Sequence, residues 1–218
     1  MESKTLETLI VEVADNGVAT VTMNRPEKKN AANFTMWGEL RETWNEISVD
    51  PDIRAVIMTG AGDAFCSGAD LAGSGPKMHQ LQSMNLIHKT IQALYSIMVP
   101  VIAKVNGVAA GAGMNMALAC DLIVASDSAR FSEIFAKRGL SVDFGGTWIL
   151  PRLIGLHKAK ELAFFADVIS ADEAKEFGFV NHVIPHDELD HFVAQWSQRL
   201  ASGPPLALAM TKRLLTLN

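Results

Sequence analysis

Cysteine is scarce. Cys66 and Cys120 are the only two in 218 residues, and neither sits in a metal-ligand spacing. Both are expected to be buried and reduced. No apolar run reaches about 18–20 residues before Pro, Gly or Asp breaks it, so no transmembrane helix is expected. Met1-Glu2-Ser3-Lys4 lacks the basic start and apolar stretch of a signal peptide, which makes the cytoplasm the expected compartment. Lys and Arg form no run and the formal net charge is −5, so neither nucleic acid nor a membrane is an expected partner. What remains is an ordinary globular composition, 49% hydrophobic and 20% charged. The length suits one sizeable core, alone or with a small appendage.

The chain is organised around residues 99–121, Val-Pro-Val-Ile-Ala-Lys-Val-Asn-Gly-Val-Ala-Ala-Gly-Ala-Gly-Met-Asn-Met-Ala-Leu-Ala-Cys-Asp. Residues 101–105 read as a buried strand that Asn106 and Gly107 break. Gly111, Ala112 and Gly113 form a small-residue turn, and 114–119 read as a buried helix. Such a strand–turn–helix aims free N–H groups and a positive helix end at one spot. Close helix–strand packing is the plainer explanation of the same small residues. A second apolar strand, 55–59, empties into Gly60-Ala61-Gly62-Asp63-Ala64-Phe65-Cys66-Ser67-Gly68-Ala69-Asp70-Leu71. Two such turns can give two donors to one oxygen, the geometry of an oxyanion hole.

The remaining pattern alternates strands and helices. Residues 9–13 and 18–23 read as a hairpin about Asp15-Asn16-Gly17, and 24–32 as a polar, basic loop. An amphipathic helix is expected over 34–48, with Trp37, Leu40, Trp44 and Ile47 on one face, and a strand over 53–59. Residues 72–77 read as a loop and 78–97 as a long helix. A strand at 122–126 precedes a segment, 131–138, of no assignable form. Helices are expected at 148–153, 157–166, 172–177 (capped by Ser170), 189–200 and 206–217, with a last strand at 179–184. The alternation argues for α/β layers joined by crossovers.

The chain resembles the crotonase family of enoyl-CoA hydratases and isomerases. The matching residues are Asn24-Arg25-Pro26 with Asn30-Ala31, Ala64 through Leu71, Pro100 through Gly113, Gly145-Gly146-Thr147, Leu150-Pro151-Arg152 and Ser170-Ala171-Asp172-Glu173-Ala174. They stand in the family's order along nearly the whole chain. The resemblance implies an α/β spiral of ββα repeats over 1–200, with 201–218 starting a C-terminal helical oligomerisation region that reads as truncated. It implies a homotrimer or a dimer of trimers where that region is complete.

The resemblance also assigns roles. The Ala69 and Ala112 N–H groups would hold the thioester oxygen of an acyl-CoA as it becomes an enolate. Coenzyme A, part of the substrate rather than a cofactor, would lie along Lys28, Lys29, Ala31, Ala69, Asp70, Leu71 and Ala112. His88, Asn115, Phe135 and Phe144 would line the acyl pocket. The two hydratase carboxylates are replaced here by Asn115 and Phe135, and Glu133 lies two residues out of register. Asp143, in the loop Gly139-Leu140-Ser141-Val142-Asp143-Phe144-Gly145, stands where isomerases keep their working aspartate. One carboxylate can take a proton from one carbon and return it two carbons away, so isomerisation of a 3-enoyl-CoA to the 2-enoyl-CoA is the leading expectation. Hydration, dehalogenase- or hydrolase-like chemistry with Asp143 as nucleophile and His88 assisting, and a silent acyl-CoA binder stay open. Asp70 and Asp121 are expected to serve the fold.

Overall fold

The computed structural model describes residues 1–72 and 79–217. In chain order the elements are β1 (Lys4–Thr5), β2 (Leu9–Val13), β3 (Val18–Met23), α1 (Phe34–Val49), β4 (Ala55–Gly60), β5 (Ala64–Cys66) and α2 (Gln80–Ser96). Then come β6 (Val101–Val105), β7 (Val108–Ala110), α3 (Ala112–Leu118), β8 (Leu122–Ser126), β9 (Arg130–Ser132), α4 (Gly146–Ile154) and α5 (Leu156–Phe165). The chain closes with β10 (Ile169–Ser170), α6 (Ala171–Phe177), β11 (His182–Ile184), α7 (Leu189–Ala201) and α8 (Pro205–Leu217).

Two sheets divide the strands. The larger runs β1-β2-β3-β4-β6-β8-β11, antiparallel from β1 to β3 and parallel thereafter. The smaller runs β10-β9-β7-β5, with β5, β7 and β9 parallel. Each turn of chain thus gives one strand to each sheet before its helix: β4 and β5, then β6 and β7, then β8 and β9. That is the ββα spiral the resemblance implies. The second strand of each turn goes unread in the sequence pattern, because three-residue strands are too short for a period of two to register. β4 is buried along its whole length, as a parallel strand covered on both faces must be.

Several expected bounds shift. α3 and α4 begin two residues earlier than the apolar runs indicate, since small residues occupy their first turns. Residues 131–138 resolve into the end of β9 and a 3-10 turn, Ile134–Arg138, closed by Gly139 at φ +66°. The expected loop at 72–77 and the first residue of the expected long helix fall, apart from Ala72, outside the described residues. α1 starts on Asn33, whose side chain accepts from Met36 N–H at 2.9 Å. Its buried face (Met36, Trp37, Leu40, Trp44, Ile47) joins the main core. Among the described residues no helix is long and apolar enough to cross a membrane.

Candidate active site

The first turn is held by two buried asparagines. Asn30, at φ +55°, donates to the carbonyls of Ala61 and Ala64 at 2.8 Å each and accepts from Arg25 N–H at 2.9 Å. Asn106 donates to the carbonyls of Gly60 and Gly62 at 2.9 Å each. The loop leaving β4 is therefore tied both to the basic loop before it and to the end of β6. Asn106, read only as a strand breaker, is a clamp.

Beyond β5, Ala32 forms an isolated parallel bridge with Ala69: Ala32 N–H donates to Gly68 at 2.8 Å, and Asp70 N–H donates to Ala32 at 2.9 Å. In a parallel bridge the central residue's own N–H points to the opposite side. The Ala69 N–H is thus turned away from Ala32 and left unclaimed by the bridge. Ala112 opens α3, so its N–H lacks a helical acceptor. The two turns touch: a Cβ on Gly68 (φ +110°) would stand 3.0 Å from the Ala110 oxygen and 3.9 Å from the Ala112 nitrogen. Gly113 packs so closely on the Cys66 carbonyl that a Cβ there would collide with it. Gly111 adopts φ +54°, ψ −127°, a conformation that favours glycine. Two free donors from adjacent turns are what an oxyanion hole requires.

The carboxylate loop is tied to the helix that opens at Ala112. Phe144 at φ +49° and Gly145 at φ +81° turn the chain sharply just after Asp143. Phe144 is buried, and its ring meets Trp37 of α1 at 5.3 Å between centroids. Burial raises the Asp143 carboxyl to about 6, so it is a stronger base than an exposed aspartate. Asn115, wholly buried on α3, donates through Nδ2 to the Asp143 carbonyl at 3.0 Å and to Glu133 Oε2 at 3.4 Å.

Glu133 is the residue that sequence register passed over. It is 1% exposed, and burial, opposed by the Asn115 hydrogen bond and reinforced by the Asp143 charge, pushes its carboxyl up to about 8. The signal was an acidic residue inside the apolar run Phe131-Ser132-Glu133-Ile134-Phe135. Its direction depends on the 3-10 turn that begins at Ile134, which periodicity does not reveal.

The other named residues separate by environment. Phe135 is buried, its ring 3.6 Å from where a Gly111 Cβ would be, so it packs on the second turn. Lys28, Lys29 and Leu71 are exposed and Ala31 is half-buried, forming a rim outside the first turn. His88 lies exposed on α2, with no hydrogen bond to the carboxylates among the described residues. Asp70 pairs with Arg25 at 3.0 Å and accepts from Ala72 N–H at 3.2 Å. Asp121 accepts from Val101 N–H at 2.8 Å and pairs with Lys212 at 2.7 Å. Both serve the fold. Cys66 and Cys120 are free and buried, and burial raises the Cys66 thiol to about 11, which makes it inert at neutral pH.

The family model for enoyl-CoA hydratase/isomerase matches residues 13–217. The chain belongs to the enoyl-CoA hydratase/isomerase family. It is 39% identical over 208 residues to the "Probable enoyl-CoA hydratase" of Rhodobacter capsulatus, covering 94% of this chain and 80% of the relative. It is 37% identical over 212 residues to the 1,2-epoxyphenylacetyl-CoA isomerase of Escherichia coli, covering 94% and 81%. Among solved structures, an enoyl-CoA hydratase from Bacillus anthracis matches at a TM-score of 0.91 and 34% identity, covering 96% of this chain and 83% of that one. As an enoyl-CoA hydratase/isomerase family enzyme, the protein acts on acyl-CoA thioesters.

Proposed function

We propose that this enzyme moves the double bond of a 3-enoyl-CoA to the 2 position, with Asp143 as the acid/base. The Asp143 carboxylate takes a proton from C2 while electrons shift onto the thioester oxygen, held by Ala69 and Ala112 N–H. The dienolate then collapses, and Asp143 returns the proton to C4. No water or cofactor is consumed. The observation that carries this reading is a carboxylate of raised basicity whose loop is hydrogen-bonded, through Asn115, to the helix that opens with the unclaimed Ala112 N–H. The name of the Escherichia coli relative lends support from a second isomerase chemistry.

Hydration of a 2-enoyl-CoA is the second reading, favoured by Glu133 beside Asp143. An ionised carboxylate could activate water for attack at C3 while a neutral one gives its proton to C2. Asn115 and Phe135 do not supply that second carboxyl, and Glu133 does. As part of the same proposal the enzyme works in the cytoplasm as a homotrimer, supported by the exposed Leu206, Met210 and Leu215 on α8.

The test follows formation of the conjugated 2-enoyl-CoA from a 3-enoyl-CoA by its absorbance. Asp143→Asn is expected to lower the rate by about 10²–10⁴-fold. A rate that survives removes Asp143 from the mechanism. Hydration without isomerisation in the wild type selects the second reading.

A further inference from the structure

Three oxygens in the buried cluster have no hydrogen-bond partner: Asn115 Oδ1, Glu133 Oε1 and Asp143 Oδ1. With both carboxyls ionised, all three are acceptors. Among the described residues, Asn115 Nδ2 is already shared between Glu133 and the Asp143 carbonyl, and the Tyr95 hydroxyl, which approaches Gly145, makes no hydrogen bond to any of the three. The cluster is short of a hydrogen. Leaving buried acceptors unmet costs about 1–3 kcal/mol each, and more for a charged one. One proton on either carboxyl turns an acceptor into a donor.

The surroundings decide which carboxyl holds it. Among the described residues, Glu133 faces no cation. On the 3-10 turn, Lys137 pairs at the surface with Asp167 and Arg138 is exposed. Arg130 of β9 donates to the carbonyls of Asp127 and Ala129. Arg152 of α4 lies over the Trp148 ring, and Lys158 of α5 pairs with Glu161. α3 carries no charged residue, and α2 contributes the phenol of Tyr95, which approaches Gly145. Among the described residues, the charge acting on Glu133 is the like charge of Asp143. Glu133 is also the more deeply buried of the two.

We propose that Glu133 is a neutral carboxylic acid in the resting enzyme, the keeper of the site's stored proton. It donates the hydrogen its neighbours lack, so that Asp143 stands oriented as a singly charged base. Glu133 is here a positioning residue, acting through Asp143 and Asn115. The raised Glu133 carboxyl agrees with this arrangement. Above about pH 8 the stored proton leaves, the donor is lost, and a second negative charge opposes the enolate forming nearby. The effect on rate rests on the reading of Asp143 as acid/base; the protonation of Glu133 does not.

Infrared titration of the intact enzyme reads the protonation without any substrate. A carboxylic-acid C=O band present at neutral pH, titrating near pH 8 and missing from Glu133→Gln, is the expected result. No such band at neutral pH, or one that persists in Glu133→Gln, overturns the proposal. Should Glu133→Gln fail to fold, Asp143→Asn serves instead: with the like charge removed, the band should titrate at lower pH, and an unmoved band overturns the assignment. In the isomerase assay, wild-type kcat should fall about tenfold per pH unit above the Glu133 titration, as for loss of one proton. Glu133→Gln, which keeps a donor but cannot ionise, should lose that fall. A persisting fall overturns the positioning role. An enzyme that shows the band but isomerises nothing refutes the function proposed above and supports the stored proton.

Discussion

At the residue scale, the site's two carboxyls carry a stability consequence that is separate from catalysis. Glu133 titrates at about 8 and Asp143 at about 6 in the folded protein, against ordinary values of 4.5 and 3.8. Across those intervals the folded state binds more protons than the unfolded chain, so stability falls as pH rises through them. The slope is about 1.4 kcal/mol per pH unit for each group. Below the ordinary carboxylate range the advantage is full; above about pH 8 it is gone. Glu133→Gln removes the Glu133 part, and denaturant midpoints at about pH 5 and about pH 8 should therefore converge in the variant relative to wild type. A wild type equally stable at both would contradict the buried pair. Asn30 works in the opposite direction, as a satisfied polar clamp. Asn30→Ala forfeits three hydrogen bonds and a left-handed residue that asparagine tolerates, so a loss of about 2–4 kcal/mol is expected from denaturation.

At the element scale, the proposed oxyanion hole is a property of how two turns abut. Since both donors are backbone, no side-chain deletion removes them. Gly68→Ala would force a methyl to 3.0 Å from the Ala110 carbonyl at φ +110°, spreading the turns. Misplacing one donor should lower kcat by about 10²–10³-fold while circular dichroism stays native. Unchanged turnover would place the thioester oxygen elsewhere. α1 reaches the site indirectly, through Trp37 against Phe144. That contact supports a residue at φ +49°, a strained conformation of a kind that persists where packing compels it. Trp37→Ala should cost about 3–5 kcal/mol in stability and lower turnover through the Asp143 loop.

At the scale of the whole molecule, the spiral brings segments distant in sequence to one edge. β5, β7 and β9 line up in the smaller sheet, and their ends deliver Ala69, Ala112 and Glu133. α8 is fastened to the same framework by Lys212, which pairs with Asp121 and donates to the Val99 carbonyl at 3.0 Å. Lys212→Ala should destabilise by about 1 kcal/mol, discounted for the partial exposure of Asp121, with turnover little changed.

The two small-residue turns were legible in the sequence because glycine and small residues are demanded by local backbone geometry, whereas Asp143 was singled out by the family resemblance. A positive φ or a methyl-wide gap writes itself into residue choice at that very position. The helices were legible for a similar reason, their apolar spacing being a local record of one buried face. Glu133 was not. Its place beside Asp143 depends on a three-residue strand, a 3-10 turn and the amide of Asn115 on another element, none of which leaves a periodic trace. The residue types and local conformations were thus determined along the chain. Which carboxyls share one dry space, and so which of them holds a proton, was decided only when the spiral closed, because burial and like-charge repulsion act through space.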